Sequence, residues 1–140
     1  MKIRSLIVLM ITSFLLFGCD PALMLMVEAE KAEDTSVTIY ADKTFFPDRI
    51  HLPYEKENKD EKTIIRVPWT DSIKNYKRNF SYGIGIWSDE LVSNLSEHID
   101  SIILKNSSGI LKINKKTDIE TYLLKNRRGF PIKKLIIKAE

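Results

Sequence analysis

The chain has 140 residues, 22 of them basic and 19 acidic, for a formal charge of +3. Its single cysteine excludes any intrachain disulfide, so a folded domain must rely on an apolar core. No internal repeat or long low-complexity tract interrupts it, and without Lys2 and Arg4 the balance falls from 22 to 20 basic residues against 19 acidic, too even for a nucleic-acid binder.

The N-terminus opens with a basic stretch, Met1-Lys2-Ile3-Arg4. Leu6 to Phe17 follows, apolar except for Thr12 and Ser13, and then Gly18, Cys19, Asp20 and Pro21. A basic head, an apolar run of about 7–15 residues and a small residue at the cut are the parts of a secretory signal peptide. Lys and Arg hold the head on the cytoplasmic side, and the apolar run is short for a bilayer span of about 20 residues.

Leu16-Phe17-Gly18-Cys19 resembles the bacterial lipobox, in which Leu, a small residue, and Gly or Ala precede the Cys. Leu16, Gly18 and Cys19 match; Phe17 departs from the usual Ala, Ser or Thr. The resemblance covers residues 1–20 and implies a bacterial lipoprotein. It implies cleavage between Gly18 and Cys19, a diacylglyceryl group on the Cys19 thiol, and often a third acyl chain on its amine. It also implies that Asp20 acts as an inner-membrane retention signal where enterobacteria-like sorting operates. One acyl chain anchors marginally and two or more anchor stably, so such a Cys holds a protein on a membrane without a transmembrane helix. Two other readings exist. One is an uncleaved anchor continued by residues 22–27, opposed by Asp20 at about 2.5–3.5 kcal/mol for a mid-bilayer carboxylate. The other is ordinary secretion.

This gives three segments: 1–18 as signal peptide, 19–35 as lipidated Cys and tether, and 36–140 as one globular domain of ordinary size. Charge is uneven along them. Residues 20–62 hold eleven acidic and six basic side chains, and residues 105–140 hold ten basic and three acidic. Such asymmetry suits a partner surface or anionic headgroups, or simply solvated faces.

Val37-Thr38-Ile39-Tyr40 predicts a strand. Phe45-Phe46-Pro47 predicts a turn and Arg49–Leu52 an extended segment before Pro53. Glu55–Lys62 reads as a solvated loop, Thr63–Val67 as a strand ended by Pro68, and 69–79 as a loop. Phe80–Trp87 predicts a strand. Ser88 then caps a helix, with Asp89 and Glu90 in its first turn and Leu91, Val92, Leu95 and Ile99 on one face. Ser101–Lys105 and Ile110–Asn114 form a hairpin around Asn106–Gly109. Thr117-Asp118-Ile119-Glu120 has the form of a capping box for a second helix, with Ile119, Tyr122 and Leu123 apolar. Asn126–Gly129 ends it, and Ile132–Lys138 is a last strand. The expected class is α+β: an antiparallel sheet with two helices on one face, with an element order over 80–140 compatible with a ferredoxin-like arrangement.

Chemistry-bearing residues are few. Gly83-Ile84-Gly85 precedes a helix, but a third glycine is missing and Asp89 and Glu90 would repel a phosphate there. His51 and His98 are the only histidines and have no further ligands at metal spacing. No nucleophile motif is present. The expectation is therefore no catalytic residue, no metal, and no cofactor beyond the acyl groups on Cys19. A domain outside the cytoplasm, in the cell envelope, would bind another protein or a ligand, with Tyr82, Trp87, Arg127 and Arg128 as a possible interaction surface. The small lipid-anchored α+β layout is similar to immunity lipoproteins that neutralise delivered toxins, a likeness of architecture only. A small hydrolase or ligand carrier with a pocket near Tyr82, Trp87 and His98 is the other alternative.

Overall fold

The structure is a computed structural model that describes residues 22–29, 35–43, 55–68, 77–129 and 134–139. The expected signal peptide, Cys19, Asp20, His51 and the segment 45–53 lie outside the described residues, as does most of the expected 69–79 loop.

The class is α+β, with nine strands and two helices among the described residues. In chain order these are β1 (Ala22–Ala29), β2 (Ser36–Asp42), β3 (Glu55–Lys59), β4 (Lys62–Pro68), β5 (Lys77–Ile84), α1 (Asp89–His98), β6 (Ile99–Asn106), β7 (Gly109–Ile113), α2 (Lys116–Lys125), β8 (Arg127–Arg128) and β9 (Lys134–Ala139). From β5 onward the strand, helix, strand, strand, helix, strand order is as expected, with β8 added. The strands divide, however, between two sheets: sheet A in order β5-β1-β9-β8, and sheet B in order β3-β4-β2-β6-β7. A ferredoxin-like arrangement would join β5, β6, β7 and β9 in one sheet. All pairings are antiparallel except β1 with β9.

The largest departure from expectation is at residues 22–29, which the tether reading of 19–35 covers. They form β1, an interior strand of sheet A between β5 and β9. Leu25 faces Phe80 on one side and Leu135 on the other, and all three are fully buried. Met26 and Ile136, on the opposite face and paired, are also buried. A strand buried on both faces reads as a continuous apolar run, with none of the alternation of a half-buried strand.

On sheet B, β2 alternates between buried and half-buried side chains. Val37, Ile39 and Ala41 on β2 sit opposite Val67, Ile65 and Thr63 on β4, and all six are buried. On β6 the register slips by one residue opposite Tyr40 and Ala41, leaving Asp100 unmatched. This bulge returns Ile99 to the core and turns Asp100 outward, where Lys62 bonds it at 2.6 Å. Glu55–Lys59, expected as a loop, is instead the edge strand of a hairpin. Its turn runs through Asp60, in a left-handed conformation at φ 54°. Every side chain of β3 is exposed, so no apolar pattern marks it; the Arg66–Glu57 bridge at 2.9 Å ties it to β4.

Ser88 caps α1 as expected, its Oγ accepting from the Leu91 amide at 3.1 Å. Val92 and Leu95 face the core, Leu91 is exposed, and Ile99 already belongs to β6. The capping box at Thr117 does not form. α2 begins at Lys116, the Lys115 carbonyl accepts the amides of Asp118 and Ile119, and Thr117 lies inside the first turn. Lys116 reaches across to the Ile99 carbonyl at 2.8 Å, which fixes the earlier start. Ile119 and Leu123 are fully buried. α2 packs beside both β6 and β9, and one continuous core joins the helices and both sheets.

Candidate functional site

The residues expected as an interaction surface do come together, but mostly as structure. Trp87 is 3% exposed, and its indole Nε1 donates to the Met24 carbonyl at 2.9 Å, which pins the chain after β5 against β1. Tyr82 meets Trp87 edge to face, with ring centroids 5.7 Å apart. Tyr82 is half-buried, and burial of its hydroxyl pushes its pKa well above the ordinary tyrosine range. Arg127 bonds the Trp87 carbonyl at 2.9 Å and Asp89 at 2.7 Å, locking β8 to the start of α1. The Trp87 indole belongs to the buried core. Of the four, Arg128 is exposed.

His98 bonds Asp42 through Nδ1 at 2.6 Å, tying the end of α1 to the end of β2. It sits eleven residues beyond Trp87, at the far end of the helix. Among the described residues no group of three or more His, Cys, Asp and Glu is placed to hold a metal ion. None of the described helices is long and apolar enough to cross a membrane.

A cleft of about 360 Å³ lies elsewhere, between the β6–β7 hairpin, α2 and the end of β9. Leu104, Ile110, Leu111, Tyr122, Asn126 and Lys138 line it, with Asn106, Ser108 and Gly109 at its turn. Neither Tyr82, Trp87 nor His98 contributes. The cleft exists because the core layer runs out at β7. Leu104 and Leu111 pair across the two strands, but Leu104 is buried and Leu111 is 55% exposed. Ile110, on the other face of the strand, is 70% exposed.

The walls of the cleft are fixed. Asn106 Oδ1 accepts the amides of Ser108 and Gly109 at 2.9 and 3.0 Å, which closes the turn. The Tyr122 hydroxyl accepts from the Lys138 amide at 3.0 Å and lies 3.2 Å from its carbonyl, clamping α2 to β9. Asn126 returns its side-chain amide to the Tyr122 carbonyl at 2.9 Å. Among the described residues, the lining contains no carboxylate, imidazole or thiol.

Sequence reasoning did not single out this cleft. Its one sequence signal is the adjacent pair Ile110-Leu111 in a short strand. Neighbouring strand residues face opposite ways, so both are buried only if both faces are covered. Among the described residues β7 is the edge strand of its sheet, and both Ile110 and Leu111 are exposed.

Comparison of the chain with protein-family models, with curated proteins and with solved structures returns no match.

Proposed function

We propose that this chain is a membrane-anchored bacterial lipoprotein whose exported domain binds another protein through the cleft beside β7, without catalysis. Leu16, Gly18 and Cys19 support the anchor. The observation that carries the binding role is the edge of sheet B, where β7 presents Ile110 and Leu111 to solvent beside a preformed cleft. An edge strand leaves a row of backbone donors and acceptors open to a further strand, and apolar side chains on it add affinity. Lys105 and Lys112 are exposed on the same hairpin, so an extended acidic segment is the partner whose charge fits. The described lining residues, apolar side chains with amides, hydroxyls and a lysine, favour recognition over acid–base or nucleophilic chemistry.

The test has two arms. Palmitate labelling of wild type and Cys19→Ala reads the anchor, with label expected in the wild type alone. A photo-crosslinking residue at Ile110, compared with one at Asn94 on α1, reads the surface in intact cells. A discrete adduct at position 110 that Leu111→Asp abolishes supports the cleft. Equal, diffuse labelling at both positions removes the binding role.

A further inference from the structure

We propose that the end of sheet A nearest Cys19 is itself a membrane-contacting surface, in which Ile84 and Ile86 enter the interface of an anionic bilayer and Arg128 and Lys134 meet its headgroups. This rests on the lipid-anchor reading of Cys19.

Chain length brings this surface to the membrane. β1 begins at Ala22, three residues after Cys19. Three residues span at most about 10–11 Å even when fully extended. Ala22 pairs with Ile84, and adjacent strands lie about 5 Å apart. Ile84 therefore stands within roughly 16 Å of an acylated Cys19, and its side chain shortens that gap. The headgroup layer on each face of a bilayer is itself about 5–7 Å thick.

A defect in the sheet gives this end its apolar face. Phe80 and Tyr82 turn toward the core, and simple alternation would send Ile84 the same way. Between Ala22 and Met24 on β1, however, β5 advances from Ile84 to Ser81, one residue more than its partner. Gly83, at φ 123°, accommodates the extra residue. The bulge moves Ile84 to the outer face beside Ala22, where it is 71% exposed. Ile86 follows at 50% exposed, after Gly85 at φ 141°. Two large aliphatic side chains are thus held in water by a built backbone feature at the end of the sheet next to the anchor.

Two exposed cations stand at the same end. β9 runs parallel to β1 with Leu135 level with Leu25, so Lys134 stands one residue nearer the anchored end, and Arg128 pairs with Lys134. Both are exposed. Asp89, which follows Ile86 by three residues, is already paired with Arg127. Apolar side chains flanked by exposed cations are the composition of an interfacial membrane contact. The cleft lies at the other end: Lys138, one of its lining residues, is paired with Glu28, six residues along β1 from Ala22.

The experiment uses the lipid-anchored protein with its leader processed, in vesicles of phosphatidylcholine and phosphatidylglycerol. Acylation of Cys19 leaves an introduced cysteine as the only free thiol for an environment-sensitive fluorophore. Ile86→Cys and Ile84→Cys are labelled at the proposed surface, and Ile110→Cys at the opposite end. We expect lipid-borne quenchers to act at least about fivefold more strongly at 84 and 86 than at 110. Adding Arg128→Glu and Lys134→Glu should at least halve that quenching in phosphatidylglycerol vesicles and leave it unchanged in pure phosphatidylcholine. Equal quenching at 86 and 110 with palmitate present on Cys19 overturns the contact surface and leaves the anchor standing. A Cys19 that takes no palmitate overturns both.

Discussion

Replacing Leu25 with alanine separates a strand of the core from a dispensable tether. Leu25 has no exposed surface and is flanked in register by Phe80 and Leu135, also fully buried. The substitution removes three carbons, and at about 0.8 kcal/mol per buried methylene the transfer term alone is about 2.4 kcal/mol. Neighbours on two paired strands cannot collapse into the space, so a cavity term adds to this, and buried Leu→Ala changes span about 2.7–5 kcal/mol. We expect about 3–4 kcal/mol, a large part of the roughly 5–15 kcal/mol that holds a domain folded. Urea unfolding reads it as a lower midpoint at unchanged slope. Ile84→Ala, on the strand paired with β1 but 71% exposed, is the control and should change stability by less than about 0.5 kcal/mol. A loss of under about 0.5 kcal/mol for Leu25→Ala, no different from the control, would refute the placement of β1 in the core.

Three further outcomes follow from the same geometry. Gly83 has a positive φ and open space around an added Cβ, so Gly83→Ala meets backbone strain alone; urea unfolding should show a loss of about 1–2 kcal/mol, and no loss would remove the bulge. Burial raises the Tyr82 pKa above the unfolded value of about 10, so the folded state holds its proton more tightly and this contribution is intact below pH 10. It is lost as pH rises beyond that, so the wild-type Tm should fall more steeply than that of Tyr82→Phe between pH 10 and 12, and equal slopes would contradict the assignment. Ile110→Asp with Leu111→Asp changes two exposed side chains and should leave the unfolding midpoint within about 0.5 kcal/mol of wild type while abolishing the crosslink near β7; survival of the crosslink would separate binding from the cleft.

Local signals in the sequence were sound where one face of an element is wet. Val37–Tyr40 alternates and is a half-buried strand, and Thr63–Val67 is the strand that its β-branched residues indicate. Ser88 followed by two acids gives the cap of α1 directly. The sequence misleads where burial is two-sided or absent. Leu23-Met24-Leu25-Met26-Val27 has no period because both of its faces are covered, and beside a motif that resembles a lipobox it reads as a tether. Glu55–Lys59 has no apolar residue because it is an edge strand held by backbone pairing and the Glu57–Arg66 bridge. The split into two sheets depends on the parallel pairing of β1 with β9, residues more than a hundred positions apart, which no local pattern encodes. Tyr82, Trp87 and Arg127 were singled out for chemistry that suits interfaces, and the same chemistry serves to clasp β1, β8 and α1 together. The cleft at Leu111 escaped notice because it arises from where α2 stops covering β7.

The position of β1 also bears on how the domain is held. A flexible segment has a root-mean-square reach of about 5–6 Å times the square root of its length, or about 10 Å for three residues. A domain of about 120 residues has a radius of gyration near 13–14 Å. A link shorter than the radius of the body it carries cannot let that body tumble freely over a surface. If Cys19 is acylated, the anchored end is therefore fixed toward the bilayer by covalent geometry alone, and Ile84, Ile86, Arg128 and Lys134 need only hold an orientation that the link already favours. β1 rises about 3.3 Å per residue, so Glu28, paired with the cleft residue Lys138, stands about 20 Å further along the strand than Ala22. The cleft is thus presented away from the anchored end. With Cys19 acylated, that placement suits a partner arriving from the aqueous side better than one embedded in the same membrane.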